Sequence, residues 1–314
     1  MTGSDPVFSL DDLARWSRPG VSLAVLGHPI KHSISPPMHN AALAVMAARA
    51  EAGGGGGGGA PAFADWRYHR FEIHPDDLPR ALELLHEKRF LGVNLTVPHK
   101  IIAFSCVARV DPAARPIGAV NTLKWTQEGW HGFNTDGYGL ATAVRETLGI
   151  TLADSPVVLL GAGGAARGAA VECIHQRCAG LWIANRTRAN LDTLLSQLAP
   201  LAAKAGVAVQ GGGGGGESVP EGALVINATS SGLRVDDPLP VELERLPRPA
   251  GVYDMIYNPP ETRLLARARA LGLPAANGLS MLIHQGARSL QIWSGAEVPV
   301  EAMRKAAEAA LRKS

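Results

Sequence analysis

Short runs of apolar residues alternate with amphipathic segments along the first half of the chain. Val21–Gly27 reads VSLAVLG, a continuous apolar run of strand length, and the spacing over Pro37–Ala50 predicts a helix. The same alternation continues with the predicted strands Tyr68–Ile73 and Leu91–Thr96 on either side of a predicted helix, Pro75–Lys88. Near-continuous apolar strands separated by helices are typical of a parallel sheet covered on both faces.

A second alternating series follows a predicted helix near Gly139–Leu148. Its predicted elements are the strands Pro156–Leu160, Leu181–Ala184, Leu224–Asn227 and Gly251–Asp254, a helix ending at Arg177 and a helix over Ala189–Leu201. Two helices, Leu279–Ser294 and Val300–Arg312, end the chain. The pattern therefore predicts two α/β domains, residues 1–138 and 139–278, with C-terminal helices 279–314 that return towards the first domain.

Composition and charge exclude several classes of protein. The 314 residues are 46% hydrophobic and 18% charged, values typical of folded globular domains. A net charge of +2 without a basic patch gives no reason to expect a nucleic-acid partner. Neither an apolar run of about 20 residues nor a signal-peptide pattern is present. Three cysteines lack metal-ligand spacing, so we expect free thiols, no metal and a cytoplasmic protein.

Two homopolymeric glycine tracts, Gly53–Gly59 and Gly211–Gly216, interrupt the pattern. Glycine has no side chain to bury and loses the most entropy on ordering, so both tracts are expected to be flexible surface loops. They lack the strand-turn-helix context of a phosphate-binding loop, and we treat them as insertions.

The motif with the clearest local chemistry is VVLLGAGGAARG, Val157–Gly168. A predicted buried strand runs into Gly161, Gly163 and Gly164, and an alanine-rich helix follows. Such glycines let backbone N–H groups approach a pyrophosphate at the start of a helix, which favours a Rossmann-type nucleotide site. A tight turn in another α/β protein is the alternative interpretation.

The end of the next strand indicates which cofactor is used. An acidic residue there would bind the ribose of NAD, whereas a cation suits the 2′-phosphate of NADP. The chain reads Asn185-Arg186-Thr187, and Arg186 carries a planar, permanently charged fork. The motif favours NADP, unless Arg186 simply begins a surface helix.

Polar residues collect at the ends of the predicted strands of the first domain. Ser33 and Ser35 follow the first strand and could present two hydroxyls to one carboxylate if that segment is extended. Taken singly, such serines are common turn and N-cap residues. Equally, Lys100 could be a solvated cation, Asn121 a turn residue and Asp136 a helix N-cap. Their joint presence at strand ends favours a binding site, because open α/β sheets bind ligands there.

These segments, taken in order, resemble the shikimate dehydrogenase family. The resemblance spans Gly27 to Gly286 and is carried by HSISPPMHNAAL, NLTVPHK, IGAVNT, FNTDGYG, GAGGAARGAA, NRT, NATSSG, DMIYNPPETRLL and NGLSMLIHQG. It implies an N-terminal, mostly parallel α/β substrate domain and a Rossmann-type NADP domain. It also implies reversible NADPH-linked reduction of 3-dehydroshikimate to shikimate, a step towards aromatic amino acids.

The resemblance also implies roles for individual residues. Ser33 and Ser35 would hold the substrate carboxylate. The ring hydroxyls and the reacting carbonyl would be surrounded by Thr96, Lys100, Asn121 and Asp136. The substrate would be reached from the second domain and the last helices by Tyr257 and Gln285. NADP would be contacted by Gly161, Ala162, Gly163, Gly164, Ala165, Asn185, Arg186, Thr187, Thr229, Met255 and Gly278.

The implied chemistry is coherent for Lys100 and Asp136. Reduction of a ketone leaves negative charge on its oxygen, which needs a proton and local positive potential. Lys100 can supply both, and Asp136 can orient it by a charge-assisted hydrogen bond. Because a neighbouring carboxylate keeps a lysine protonated, Lys100 could act mainly through charge and position, with the proton passing through water or a substrate hydroxyl.

Two departures from the family pattern and two rival functions stay open. Many relatives carry a second cation four residues after the Arg186 position, but Asn190 stands there, and Arg188 could compensate. The glycine tracts have no counterpart in the family. An NAD-dependent quinate/shikimate dehydrogenase and a non-catalytic shikimate-binding regulator are the rivals. The sequence does not decide oligomeric state; a homodimer is one option.

Overall fold

The computed structural model describes residues 6–52, 63–96, 98–212 and 219–313. Backbone contacts divide the chain into two compact units: Met1–Thr135 with Gly286–Ser314, and Asp136–Gln285. The domain limits expected from the sequence, residues 138 and 278, lie near these divisions and stay predictions.

The first unit combines short strands with helices of very different lengths. Its strands are β1 (Val7–Phe8), β2 (Val21–Gly27), β3 (Trp66–Glu72), β4 (Gly92–Leu95), β5 (Arg109–Val110), β6 (Thr122–Thr126) and β7 (Gly129–Phe133). Its helices are α1 (Leu10–Ala14), α2 (Ser35–Ala52), α3 (Leu78–Glu87), α4 (His99–Phe104) and α10 (Val300–Leu311), with a short 3₁₀ turn, Pro75–Asp77, before α3.

The sheet of the first unit has the order β1-β3-β2-β4-β6-β7-β5. Most neighbours are parallel, so the predicted mostly parallel sheet is confirmed, and β6 alone runs antiparallel to its two neighbours, β4 and β7. The reason is a tight hairpin: only two residues separate Thr126 from Gly129, whose φ of 124° suits glycine. β6 and β7 were not predicted because neither is a long apolar run.

The core of the first unit lies against β2, β3 and β4. Its largest buried side chains include Phe71 and Phe90, which meet edge-to-face with ring centroids 5.8 Å apart. Trp293 packs on β4 from the end of a later helix, where a Cβ on Gly92 would lie 2.3 Å from the indole. Its Nε1 donates to the carbonyl oxygen of Leu123 at 2.9 Å, so the buried indole N–H is satisfied.

The second unit is a fully parallel α/β sheet. Its strands are β8 (Pro156–Leu160), β9 (Gly180–Ala184), β10 (Val209–Gly211), β11 (Leu224–Asn227), β12 (Gly251–Asp254) and β13 (Ala275–Asn277). Its helices are α5 (Asp136–Leu148), α6 (Gly164–His175), α7 (Arg188–Ala205), α8 (Arg263–Ala270) and the first part of α9 (Leu279–Ser294), with a 3₁₀ turn at Leu243–Arg245.

The strand order of the second unit is β10-β9-β8-β11-β12-β13. Counted from β8, this is the order 3-2-1-4-5-6 of the doubly wound dinucleotide-binding fold. The order reverses between β8 and β11, and ligands of such sheets bind outside the carboxyl ends of the strands at that point. The predicted Rossmann-type architecture is therefore confirmed.

The glycine tracts are only partly described. Gly53–Gly59 and residues 213–216 lie outside the described residues, so the loop prediction is untested there. At Gly211 it is wrong, because Gly211 ends β10 and pairs in parallel register with Ile183 of β9.

Across the described part of the chain, no helix is long and apolar enough to cross a membrane. All three cysteines are free thiols, with Cys173 and Cys178 buried.

Candidate functional site

The carboxyl ends of the strands of the second unit lie in one row. The register pairs Leu160 with Asn227, Asn227 with Asp254, and Asp254 with Asn277. The next residue or two after each strand therefore face the same edge of the sheet. Here stand four of the residues assigned to the cofactor: Gly161, Thr229, Met255 and Gly278.

The geometry of the glycine motif fits a pyrophosphate. Gly161 has a φ of 115°, a conformation that favours glycine, and its N–H donates to the carbonyl oxygen of Ala184 at 2.8 Å, which continues the pairing of β8 with β9. A Cβ added at Gly163 or Gly164 would meet nothing within 4 Å, so the space above both residues is open. Gly163 caps α6 with no side-chain hydrogen bond to the first turn. Open backbone at a helix N-terminus is the arrangement that accepts an anion.

Other members of the row are held by a buried asparagine. Asn227 accepts hydrogen bonds from the N–H and hydroxyl of Thr229 through Oδ1, at 3.1 and 2.7 Å. Its carbonyl oxygen accepts from the N–H of Met255 at 3.0 Å. A Cβ on Gly278 would lie 2.1 Å from the carbonyl oxygen of Met255, so only glycine fits there. Asn227 was not singled out in the sequence, although a polar residue ending an apolar strand was its signal.

Arg186 lies in the loop between β9 and α7. The helix begins at Arg188 with Thr187 as its N-cap, so Arg186 precedes the helix and does not begin it. Its side chain is exposed, and among the described residues it has no ion-pair partner. Asn185 fixes the loop through Nδ2, which donates to the carbonyl oxygen of Thr187 at 2.8 Å. Arg186 is thus available to a phosphate.

Arg188 is engaged elsewhere. Its Nε lies 2.9 and 3.1 Å from the two carboxylate oxygens of Asp192, one turn further along α7. Asn190 is exposed and carries no charge. The second cation found in many family members is therefore not replaced by an unengaged Arg188, which leaves Arg186 as the main candidate for recognition of a 2′-phosphate.

Tyr257 and Gln285, expected to reach the substrate, both belong to the second unit. Tyr257 is half-buried, and burial raises the pKa of its phenol above the ordinary value, so the group is neutral at neutral pH. Gln285 donates through Nε2 to the carbonyl oxygen of Leu282 at 2.8 Å. A Cβ added at Gly139 would lie only 2.9 Å from the Cβ of Gln285, so the glycine in α5 lets α9 approach closely.

In the first unit, Thr96, Lys100 and Asn121 meet at the end of β4. The N–H of Thr96 donates to the carbonyl oxygen of Leu26 at 3.0 Å, and Val120 donates to the carbonyl oxygen of Lys100 at 3.0 Å. Because β6 is antiparallel to β4, its start meets the carboxyl end of β4, and Leu95 donates to the carbonyl oxygen of Asn121 at 2.9 Å. The pairing of β4 with β6 thus brings Asn121 to the edge at which Thr96 and Lys100 follow β4.

Ser33 and Ser35 lie at a turn and at a helix start, so the extended segment that the sequence left as one option is not formed. The N–H of Ser33 closes a turn onto the carbonyl oxygen of Ile30 at 2.9 Å, and Ser35 is the first residue of α2. The hydroxyl of Ser33 accepts a hydrogen bond from the N–H of Ser35 at 3.3 Å. Both side chains are half-buried, so the two hydroxyls remain within reach of a ligand at the start of the helix.

Asn121 holds Thr135, the last residue before α5, by two hydrogen bonds. Its Oδ1 accepts from the N–H of Thr135 at 2.9 Å, and its Nδ2 donates to the hydroxyl of Thr135 at 3.0 Å. Asp136 follows Thr135 directly and is the first residue of α5, half-buried. Asp136 is therefore the first residue of the helix, and not the residue before the helix that an N-cap would be. Asn121 is 1% exposed, and its two hydrogen bonds to Thr135 hold the backbone directly before Asp136.

Sequence reasoning missed a buried polar cluster beneath these residues. Asn94 in β4 donates through Nδ2 to the hydroxyls of Thr122 and Ser289, at 3.1 and 3.0 Å. The hydroxyls of Thr122 and Ser289 are 2.7 Å apart, and Thr122 also donates to Oδ1 of Asn121 at 2.9 Å. Tyr68 donates to Oδ1 of Asn94 at 2.8 Å. An asparagine within an apolar strand was the available signal, since a buried amide must be hydrogen-bonded.

His39 stacks on Tyr68, with ring centroids 4.0 Å apart and planes 9° apart. Its Nδ1 is 2.9 Å from the carbonyl oxygen of Ser35. The ring is fully buried, and this burial lowers the pKa of His39 to about 4, while the bond to Ser35 opposes the shift. The imidazole is therefore neutral at neutral pH.

The buried His39 predicts a loss of stability in acid. A histidine with a folded pKa of about 4 and an unfolded pKa near 6.5 binds its proton first in the unfolded chain, so stability is lost as the pH falls from about 6.5 to 4. His39 alone should lower the free energy of unfolding by about 2 kcal/mol between pH 7 and pH 5. Urea unfolding of the wild type and His39→Phe at both pH values measures this. An equal fall in both proteins would contradict it.

Comparison with known proteins places this chain beside one group of enzymes. Residues 60–123 match the family model "Shikimate dehydrogenase substrate binding domain", and residues 278–308 match "Shikimate 5'-dehydrogenase C-terminal domain". A shikimate dehydrogenase (NADP(+)) of Symbiobacterium thermophilum is 39% identical over 297 residues, covering 93% of this chain and 95% of that protein. One from Moorella thermoacetica is 40% identical over 285 residues, covering 90% of each.

A solved structure gives the same relation. The shikimate 5-dehydrogenase of Thermus thermophilus, in complex with NADP(H) and shikimate, is 32% identical with a TM-score of 0.76. The likeness covers 92% of this chain and 99% of that one. Both units of the fold are therefore included in the likeness.

Proposed function

The chain belongs to the shikimate dehydrogenase family, and on that premise we propose that it catalyses the reversible NADP-linked reduction of 3-dehydroshikimate to shikimate, with Lys100 and Asp136 as the catalytic pair. The observation that carries the proposal is the meeting of Thr96, Lys100 and Asn121 at one sheet edge through the antiparallel β6. Asp136 follows Thr135, which Asn121 holds by two hydrogen bonds.

The first unit binds the carboxylate and the ring of the substrate in this proposal. The Ser33 and Ser35 hydroxyls donate to the carboxylate from the turn that opens α2. Thr96 and Asn121 bond ring hydroxyls, and Tyr257 and Gln285 contribute further polar contacts. Supporting this division, Ser33 lies in the loop after β2 and Thr96 directly follows β4, and open α/β sheets bind ligands at such strand ends.

Lys100 stabilises the oxygen that becomes negatively charged during reduction. It is half-buried at the start of α4, and its backbone is held by the bond from Val120. An ammonium group fixed beside a developing alkoxide lowers the barrier because its orientation is set before the reaction. Asp136 accepts a hydrogen bond from the ammonium and fixes its direction. The proton then reaches the oxygen from Lys100, or through water or a substrate hydroxyl.

The second unit holds NADP. The residues near the row of strand ends fit this cofactor. The open backbone at Gly163 and Gly164 leaves room for a pyrophosphate at the helix N-terminus. The exposed Arg186 can donate hydrogen bonds to a 2′-phosphate. Bound NADP supplies the hydride acceptor or donor for the ring carbon. Ala162, Ala165 and Thr187 flank these contacts, and Thr229, Met255 and Gly278 line the same edge.

A steady-state assay tests the proposed function. Shikimate oxidation, followed by the absorbance of reduced cofactor, is expected to be fastest with NADP and slower with NAD. Quinate is the second substrate. A preference for NAD with turnover of quinate would favour the quinate/shikimate dehydrogenase. Shikimate binding in calorimetry without turnover, for either cofactor, would favour the regulator.

The proposal also includes an oligomeric state, a homodimer, and a location, the cytoplasm. A homodimer is tested by light scattering of the purified protein, and a cytoplasmic location by fractionation of cells that express it.

A further inference from the structure

A cavity of about 230 Å³ lies beside the edge of the sheet in the first unit, between β3 and the segment that leads into β1. Arg67 and His69 are alternate residues of β3, so their side chains project from the same face of the strand. Phe8 and Arg18 line the cavity from the N-terminal segment, and Asn40 lines it from α2. None of the residues assigned to substrate or cofactor lines this cavity.

Arg18 and Arg67, two of the three arginines that line the cavity with Arg70, are held in place. Arg18 lies over two aromatic rings, 4.8 Å from the centroid of Phe8 and 4.9 Å from that of Trp16. Arg67 donates through Nη1 to the carbonyl oxygens of Ala64 and Trp66, at 3.0 and 2.7 Å. Side chains that are ordered before binding lose less entropy when a ligand arrives.

Positive charge in this cavity is not balanced by a carboxylate. No acidic residue lines it, and within the described ranges neither Arg18 nor Arg67 forms a salt bridge. His69 is T-shaped to the Trp16 ring at 4.9 Å and shares the face of β3 with Arg67. Burial, and after it charge repulsion from Arg18 and Arg67, lower the pKa of His69 to about 4. An anion bound here would relieve that repulsion.

We propose that the cavity bounded by Arg18, Arg67 and His69 binds a small oxyanion, with a phosphate group as the best-matched ligand. Two guanidinium forks provide paired N–H donors in the geometry that phosphate oxygens accept. The aromatic faces of Phe8 and Trp16 are occupied by Arg18, so the ligand needs no aromatic part. This site is independent of the proposed catalytic function.

Nuclear magnetic resonance of the full chain tests the site, with inorganic phosphate as the probe at constant ionic strength. Phosphate should cause a saturable shift of the His69 ring signals and raise the pKa of that ring from about 4. Arg67→Gln and Arg18→Gln should each weaken phosphate binding by about tenfold or more, because each removes charged hydrogen bonds. The matched control is Arg80→Gln, an exposed arginine of α3 paired with Glu83, which should leave binding unchanged.

Other outcomes separate this site from competing explanations. The His69 shift should persist in Arg186→Ala, where phosphate binding at the cofactor site is weakened. Equal shifts with chloride, a shift that does not saturate, or unchanged binding in both arginine variants would mean an adventitious ion only and would overturn the proposal. Because both Arg67→Gln and Arg18→Gln are measured, the test still gives a result if one of these variants does not fold.

Discussion

Replacing Lys100 with alanine is expected to lower kcat for shikimate oxidation by about 10²–10⁴-fold while leaving KM for shikimate within about threefold. The ammonium acts mainly on charge that exists in the transition state, and the carboxylate of the substrate is held by other residues. Its removal therefore affects turnover more than ground-state binding. Stopped-flow and steady-state kinetics with saturating NADP measure both parameters.

The control for Lys100 is Lys88→Ala, since Lys88 is an exposed lysine at the end of α3 in the same unit. Its kinetic parameters should match those of the wild type. A Lys100→Ala enzyme with intact kcat and a raised KM would remove Lys100 from the chemical step and make it a binding residue. A variant that retains the thermal unfolding temperature of the wild type excludes misfolding as the cause.

Substituting Arg186 by alanine is expected to raise KM for NADP by about 10–100-fold, with KM for NAD changed by less than about twofold. Charged hydrogen bonds contribute roughly 1.5–3 kcal/mol each, and NAD has no 2′-phosphate to lose them. The structure supports the assignment because Arg186 is exposed, precedes α7 and has no acidic partner in the part of the chain that the structure describes. Initial-rate measurements with both cofactors give the ratio directly.

Arg188→Ala is the matched control for Arg186. Arg188 is two residues away but is already bonded to Asp192, so its removal should change KM for NADP by less than about threefold. Equal losses for NADP and NAD in Arg186→Ala would assign this residue to the pyrophosphate or to loop structure. A large effect of Arg188→Ala alone would show that its pair with Asp192 opens when NADP binds.

Much of the fold follows from local pattern. The strands Val21–Gly27, Pro156–Leu160, Leu224–Asn227 and Gly251–Asp254 and the helix Leu279–Ser294 have the limits predicted from the sequence. Apolar runs of strand length and helical spacing are local properties, so they can be recognised without knowing which strands pair. The short β1, β5 and β13 offered no such run, and β6 and β7 are half-exposed, so these strands were missed.

The residues of the candidate site were likewise predictable where they depend on local sequence, and not where they depend on contacts between distant segments. The glycine motif was recognisable because a strand, Gly161 and a helix follow one another along the chain. For Ser33 and Ser35 the sequence left both a turn and an extended segment open, since two serines before prolines are compatible with either, and the structure has the turn. Asn94 and Ser289 were missed because their hydrogen bond joins residues 94 and 289, which only the packing of α9 against β4 brings together.

By itself, the sequence determined the strand-helix alternation, the glycine turn, the absent acid near Arg186 and the family resemblance, because each depends on residues that are close along the chain. The tertiary structure alone decided the strand order of both sheets and the antiparallel β6 that brings Asn121 to Lys100. It alone brought Arg18 to the cavity beside β3. These features depend on pairing between distant segments, which burial of the whole core selects and no local pattern records.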